Sequence, residues 1–157
     1  MRRKENAMDI DTLKQWMASA GLDGKEGADG FFLVVRRNLE INVAYLEEAD
    51  LVGCFAPLLE LAGLDDAQRL EALSRALALN GAGALPPCCA LSYDEAADVI
   101  YLLWQQSPEQ LDSTGFGNAF DDFVTAASQV QEHLRGLLSE SDGAAHGDGE
   151  QDFMMKV

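Results

Sequence analysis

The chain has 157 residues, 48% of them apolar, and carries 27 acidic against 11 basic residues for a net charge of −16. A chain of this length forms one domain and buries ~70% of its unfolded surface, which excludes disorder throughout and leaves no room for an enzyme with separate cofactor and substrate lobes. The charge excludes binding to a phosphate backbone or an anionic membrane through a basic patch, and favours basic partners.

The charge is also uneven. Between Arg75 and Arg135 there is no Lys or Arg, but there are eight acids: Asp94, Glu95, Asp98, Glu109, Asp112, Asp121, Asp122 and Glu132. They read either as a solvated surface that aids solubility or as a face for a basic partner. The three cysteines, Cys54, Cys88 and Cys89, form no CxxC pair, and adjacent cysteines seldom bridge each other, so a reducing compartment is expected. No apolar run approaches the ~20 residues that span a membrane. Met1-Arg2-Arg3-Lys4 is followed by no apolar stretch, so no secretory signal is expected. The expected location is the cytoplasm, without membrane insertion.

Residues 1–8 read as a flexible N-terminus, with Met8 as an alternative start. Residues 9–138 read as the folded domain. A first helix is predicted over Asp9–Ala20, with Ile10, Leu13, Met17 and Ala20 at helical spacing and Trp16 beside them. Asp9 or Asp11 caps it and Gly21 ends it. Residues 21–30, with four glycines, read as a flexible link. The period then changes from 3.6 to 2. Phe31–Arg36 is a strand, Arg37-Asn38 a turn, and Leu39, Ile41, Val43 and Tyr45 alternate with Glu40, Asn42 and Ala44 on a second strand. Leu51–Ala56 is a third strand, closed by Pro57. The three make an antiparallel meander.

A second helix is predicted over Asp65–Asn80, capped by Asp65 or Asp66 and stopped by Asn80-Gly81 in a left-handed turn. Leu70, Leu73 and Leu77 form its stripe, with Ala76 and Leu79 adjoining. After the loop at 81–87, Cys88–Tyr93 and Val99–Trp104 are strands. The latter is apolar on both faces and reads as central and doubly covered. Ser107-Pro108-Glu109-Gln110 resembles a helix start, but Gly115 and Gly117 weaken the next turn, so the last helix is expected to begin near Asn118. Its apolar residues, Phe116, Phe120, Phe123, Ala127, Val130, Leu134 and Leu137, step by 4, 3, 4, 3, 4, 3. That spacing fits a helix laid on a sheet or a coiled-coil seam. Residues 139–157 read as a disordered acidic tail. The order α-β-β-β-α-β-β-α predicts an α+β fold, a twisted antiparallel sheet packed with three helices.

Signals for chemistry are weak. His133 and His146 read as solvated. No GxSxG, P-loop or complete dinucleotide loop occurs. The carboxylate groups Asp9/Asp11, Glu47/Glu48/Asp50, Asp65/Asp66 and Asp121/Asp122 lie at helix starts, a turn and a helix face, where acids serve structure. Cys88-Cys89 lacks a histidine at zinc spacing and reads as a thiol pair buried in a strand. No catalytic residue, cofactor or metal is expected. What remains is surplus apolar surface, since one sheet and three helices struggle to cover every apolar face within one chain. Such a surplus points to partner binding or a dimer interface.

Phe31–Val43, Leu73–Asn80, Cys89–Tyr93 with Val99–Trp104, and Phe120–Ala127 resemble the first hairpin, second helix, last two strands and closing helix of the class I type III secretion chaperones, the Tir-chaperone-like (CesT) family. The resemblance covers residues 9–138. Length and acidity make the chain most similar to the broad-specificity HpaB-type members. The resemblance implies a homodimer without enzymatic activity that binds N-terminal segments of type III effectors, keeps them competent for export and guides them to the export ATPase or other parts of the apparatus. It implies effector contacts by the first helix and the sheet, for which Leu13, Trp16, Met17, Phe31, Leu33 and Val35 are candidates. It implies dimer contacts by the second helix, for which Leu70, Leu73 and Leu77 are candidates; buried core is the competing reading of most of these residues. Two other readings stand beside it. One is an acidic inhibitor or immunity-type protein that blocks a basic site on a folded partner. The other is a small enzyme using a carboxylate in a concave pocket.

Overall fold

The computed structural model describes residues 8–27 and 30–144. The elements are α1 (Ile10–Ser19), β1 (Lys25–Glu26), β2 (Phe31–Arg36), β3 (Leu39–Leu46), β4 (Leu51–Glu60), α2 (Asp66–Gly81), β5 (Cys89–Asp94), β6 (Val99–Gln106), a short 3-10 turn at Pro108–Gln110, and α3 (Ser113–Ala144). The strands form one antiparallel sheet in the order β1-β2-β3-β4-β6-β5. The α+β fold expected from the sequence is present, with one strand more than anticipated.

Polar side chains set the helix starts. Asp9 accepts a bond from Thr12 N at 2.8 Å and caps α1. Asp65 accepts from Gln68 N at 2.8 Å while Gln68 accepts from Asp65 N at 3.1 Å, a reciprocal capping box on α2. Asp112 accepts from Gly115 N at 2.6 Å and starts α3. α1 ends as expected: Gly21 takes φ 72°, and Leu22 N bonds back to Met17 O at 2.9 Å.

The β2–β3 hairpin turns at Arg37 and Asn38, both with positive φ (49° and 63°), as a two-residue turn matched to strand twist requires. Several expectations are corrected. Residues 25–26 of the presumed flexible link pair with Leu33 and Phe32 as β1. Gly24 in this link packs closely: a Cβ there would lie 2.6 Å from Met17 Cε, which would have to move, and 3.2 Å from Phe32 Cβ. Pro57 does not close β4. The strand continues to Glu60 through a register shift between Pro57 and Leu59, and Gln131 Nε2 of α3 donates to the Leu58 carbonyl at 3.0 Å. α2 does not stop at a left-handed Gly81; it runs through that residue, and Gly83 takes the positive φ, 67°.

α3 starts at Ser113 and passes through Gly115 and Gly117. Gly117 lies against the end of α1, where a Cβ would sit in ordinary contact 3.6 Å from Ala20 Cβ. α3 also continues to Ala144, six residues into the region read as a tail; residues 145–157, with His146, lie outside the described residues, as do residues 1–7. His133 is half-buried rather than solvated.

The core joins the helices to one sheet face. All seven residues of the 4-3 repeat on α3 are buried, and Leu13 and Met17 of α1 join them. Phe116 sits in an aromatic cluster, with ring centroids 6.0 Å from Trp16, 6.4 Å from Trp104 and 6.3 Å from Phe120. The sheet presents Phe32, Val34, Ile41, Val43, Cys54, Ala56, Leu102 and Trp104 to this core. β6 has a neighbour on each side, but only its Ile100, Leu102 and Trp104 face is fully buried; Tyr101 and Leu103 are half-exposed, so the strand is not doubly covered. Nor is the thiol pair buried. Cys88 is exposed with φ 65°, ahead of the strand, and Cys89 is half-buried. Burial pushes the Cys89 thiol up to about 11 and drives that of fully buried Cys54 higher still.

Arg69 ties α2 to the β5–β6 turn. Its Nη1 and Nη2 donate to the two Asp98 carboxylate oxygens at 2.7 and 2.9 Å, and Nη1 also reaches the Leu61 carbonyl at 3.2 Å. Tyr93 OH donates to Asp98 at 2.6 Å. The Arg69 and Tyr93 bonds hold the Asp98 carboxyl below the usual carboxylate range. A carboxyl so lowered stabilises the fold fully above its unfolded value of ~3.9, and the contribution fades as pH falls through the folded value. Asp98→Asn is therefore expected to melt below the parent at pH 7 and equally so at pH 5. The difference shrinks at pH 3, as thermal melts at the three pH values will read.

Candidate functional site

Antiparallel register places alternate residues on the second sheet face. One row runs Leu33 (β2), Asn42 (β3), Phe55 (β4), Leu103 (β6) and Ala90 (β5) across five strands. Asn42 is its only polar member. Phe31 and Val35 flank Leu33 on β2, and Pro57 and Tyr101 flank the row on the same side as Val35. Phe31 and Phe55 meet edge to face, 5.6 Å between centroids at 80°, across Ala44 and Gly53. Those two small residues keep the face shallow there. A Cβ at Gly53 would lie 3.2 Å from the Trp104 carbonyl, a tight contact that β6 would have to relax to accept.

This face lies outside the core. Phe31, Phe55, Tyr101 and Leu103 are only half-buried, Leu33 is 36% exposed and Val35 57%. A contiguous apolar face of this kind on a highly charged protein makes it the candidate site.

α2 carries a second apolar surface. Ala72 and Ala76 are buried beside α3 and β5, Leu73 is half-buried against the core, and Leu70 and Leu77 are 68% and 72% exposed. The leucine stripe of the sequence is thus divided. The alanines admit close packing and turn Leu70 and Leu77 outward.

The candidates on α1 separate as well. Leu13 is 0% exposed and Met17 3%, so both are core residues of this chain and offer no contact surface. Trp16 is half-buried and leans on Phe116. Helical spacing finds the buried face but cannot say which of Leu13, Trp16 and Met17 reaches the surface. The row partners Phe55, Leu103 and Tyr101 escaped the sequence reading. Their signal was the double-faced apolarity of β6, which reads equally as deep burial.

The acids do structural work or face solvent. Asp9 and Asp65 are caps, Asp50 accepts from Tyr45 OH at 2.7 Å, and Asp121 and Asp122 are exposed on α3. Burial, then Asp50, pushes the Tyr45 hydroxyl up to about 12, so it stays a donor at neutral pH. An open cleft of about 380 Å³ between Leu85-Pro86 and α3 holds one carboxylate, Asp122. A single exposed acid lacks the second group in a different environment that acid–base catalysis needs. Among the described residues no group of three or more His, Cys, Asp or Glu is placed to hold a metal, and no helix is long and apolar enough to cross a membrane.

The sequence model of the Tir chaperone protein (CesT) family matches residues 41–131. No curated protein sequence matches the chain. Solved structures share its fold. The HopA1–SchA chaperone–effector complex contains a chain similar at 12% identity and a TM-score of 0.58, covering 78% of this chain and 91% of that one. The heterodimeric ExoU–SpcU complex from the type III secretion system of Pseudomonas aeruginosa does so at 20% identity and 0.55, covering 76% and 95%. YbjN of E. coli, described as a putative transcription regulator, does so at 13% identity and 0.61, covering 84% and 95%.

The division between core and surface is testable by urea unfolding. Leu13→Ala is expected to cost about 2–5 kcal/mol, as for a fully buried leucine. Val35→Ser is expected to stay within about 0.5 kcal/mol of the parent, as at a surface position.

Proposed function

The chain belongs to the Tir chaperone protein (CesT) family, and from that premise we propose that it is a type III secretion chaperone acting as a cytoplasmic homodimer. It binds the N-terminal segment of an effector in extended form, keeps it unfolded, and guides it to the export apparatus. No reaction is assigned to it. The observation that carries the reading is the uncovered apolar row from Leu33 to Ala90, flanked by Val35 and Tyr101.

The energetics suit a disordered client. Ordering such a segment costs ~1–2 kcal/mol per residue in backbone entropy. Each large apolar anchor that becomes fully buried returns ~1.5–3 kcal/mol. A client therefore needs several anchors in series. Strands ~4.8 Å apart make a five-strand row about 19 Å wide, room for about six extended residues. Trp16, half-exposed at the end of the Phe116 cluster, provides a further contact on the helical side. Leu70 and Leu77 suit the dimer contact, where two α2 helices cover each other's leucines. The acidic surface keeps a chain with so much open apolar area soluble. Its acidity and length favour a broad-specificity, HpaB-type role.

Light scattering on the purified protein, alone and co-expressed with N-terminal effector segments, tests this. The expected result is a dimer that gains the mass of a bound segment. Leu33→Asp combined with Val35→Asp is expected to keep the dimer and weaken segment binding at least about tenfold, a loss of ~1.4 kcal/mol or more. Leu70→Asp with Leu77→Asp is expected to give a folded monomer. A wild-type monomer that takes up no segment overturns the proposal. Salt-sensitive binding to a folded basic partner would then be sought.

A further inference from the structure

β5 is the last strand of the sheet, and one side chain occupies the middle of its open edge. Asn80, at the end of α2, donates from Nδ2 to the Leu91 carbonyl at 2.8 Å and accepts from Leu91 N at 2.6 Å. A neighbouring strand would make the same pair of bonds to Leu91. Asn80 lies one residue from the helix end and is itself exposed, while its two bonds to Leu91 are part-buried at the rim of the core. Edge strands with free N–H and C=O groups template the addition of foreign strands, and folded proteins block them. The opposite edge is different. There the sheet ends in the main chain of Lys25 and Glu26, both exposed.

We propose that Asn80 is an edge guard: it closes β5 to strand addition by clients and by other copies of the chain, and so directs any added client strand to the β1–β2 edge. The part concerning clients rests on the chaperone reading; the closure of β5 does not.

The full-length protein tests both. Asn80→Ala is expected to speed hydrogen exchange at the Leu91 amide roughly tenfold, consistent with losing one hydrogen bond. It is also expected to make the mass rise with concentration in light scattering, which the wild type does not show. Asn80→Asp still blocks the edge at Leu91 N–H and is expected to keep the wild-type mass. If Asn80→Ala does not fold, Asn80→Ser, too short to span both groups, is read in the same way. Unchanged Leu91 exchange with unchanged mass overturns the proposal. So does failure of both short variants to fold, because a guard is dispensable for folding. In the wild-type complex with an effector segment, new amide protection is expected at Lys25–Glu26 or Phe31–Arg36, and new protection at Cys89–Asp94 overturns the directing role. If no segment binds, the chaperone reading fails while the mass and exchange data still decide the guard.

Discussion

One long helix must cover a six-stranded sheet, and it reaches only one side. The apolar repeat of α3, from Phe116 to Leu137, is buried along its whole length, and α1 adds Leu13 and Met17 to the same layer. Burial of this kind supplies the main driving force for the fold. It also commits both helices to the Phe32–Trp104 face. The remaining helix, α2, packs beside α3 and β5 rather than over the second face. Among the described residues no helix covers the apolar row from Leu33 to Ala90.

The details around this layer keep it in place without adding cover. Gln131 fastens α3 to the bulge in β4, and Arg69 with Asp98 and Tyr93 fastens α2 to the β5–β6 turn. The alanines of α2 let it approach closely enough for Asn80 to reach β5. The same fold occurs in YbjN, described as a putative regulator, as well as in chains from chaperone–effector complexes. Architecture alone therefore does not settle a function, and the weight falls on family membership and on the chemistry of the open face.

Local chemistry was legible in the sequence wherever a few neighbouring residues decide the outcome. Asp9 and Asp65 as caps, the Arg37-Asn38 turn, and the seven-residue repeat of α3 are of this kind. What escaped depends on distant partners. Two residues, Lys25 and Glu26, become a strand only because β2 is there to pair with them. Pro57 stays within β4 because the strand bulges beside it. Gly115 and Gly117 do not break α3, since the Asp112 cap and the burial of Phe116 and Phe120 beside them offset their weak helix propensity. For the candidate site, periodicity found Phe31, Leu33 and Val35 on one strand face but could not find their neighbours on β4 and β6. That information resides in strand order, which no short-range pattern encodes.

The central claim is that an extended client lies on the open sheet face while α2 meets a second copy of the chain. A photo-reactive amino acid placed in turn at Val35 and at Leu70, in the purified complex with an effector segment, tests it most directly. The account predicts a cross-link from position 35 to the segment and from position 70 to another copy of the chain. A segment cross-linked from position 70 and absent from position 35 would contradict it.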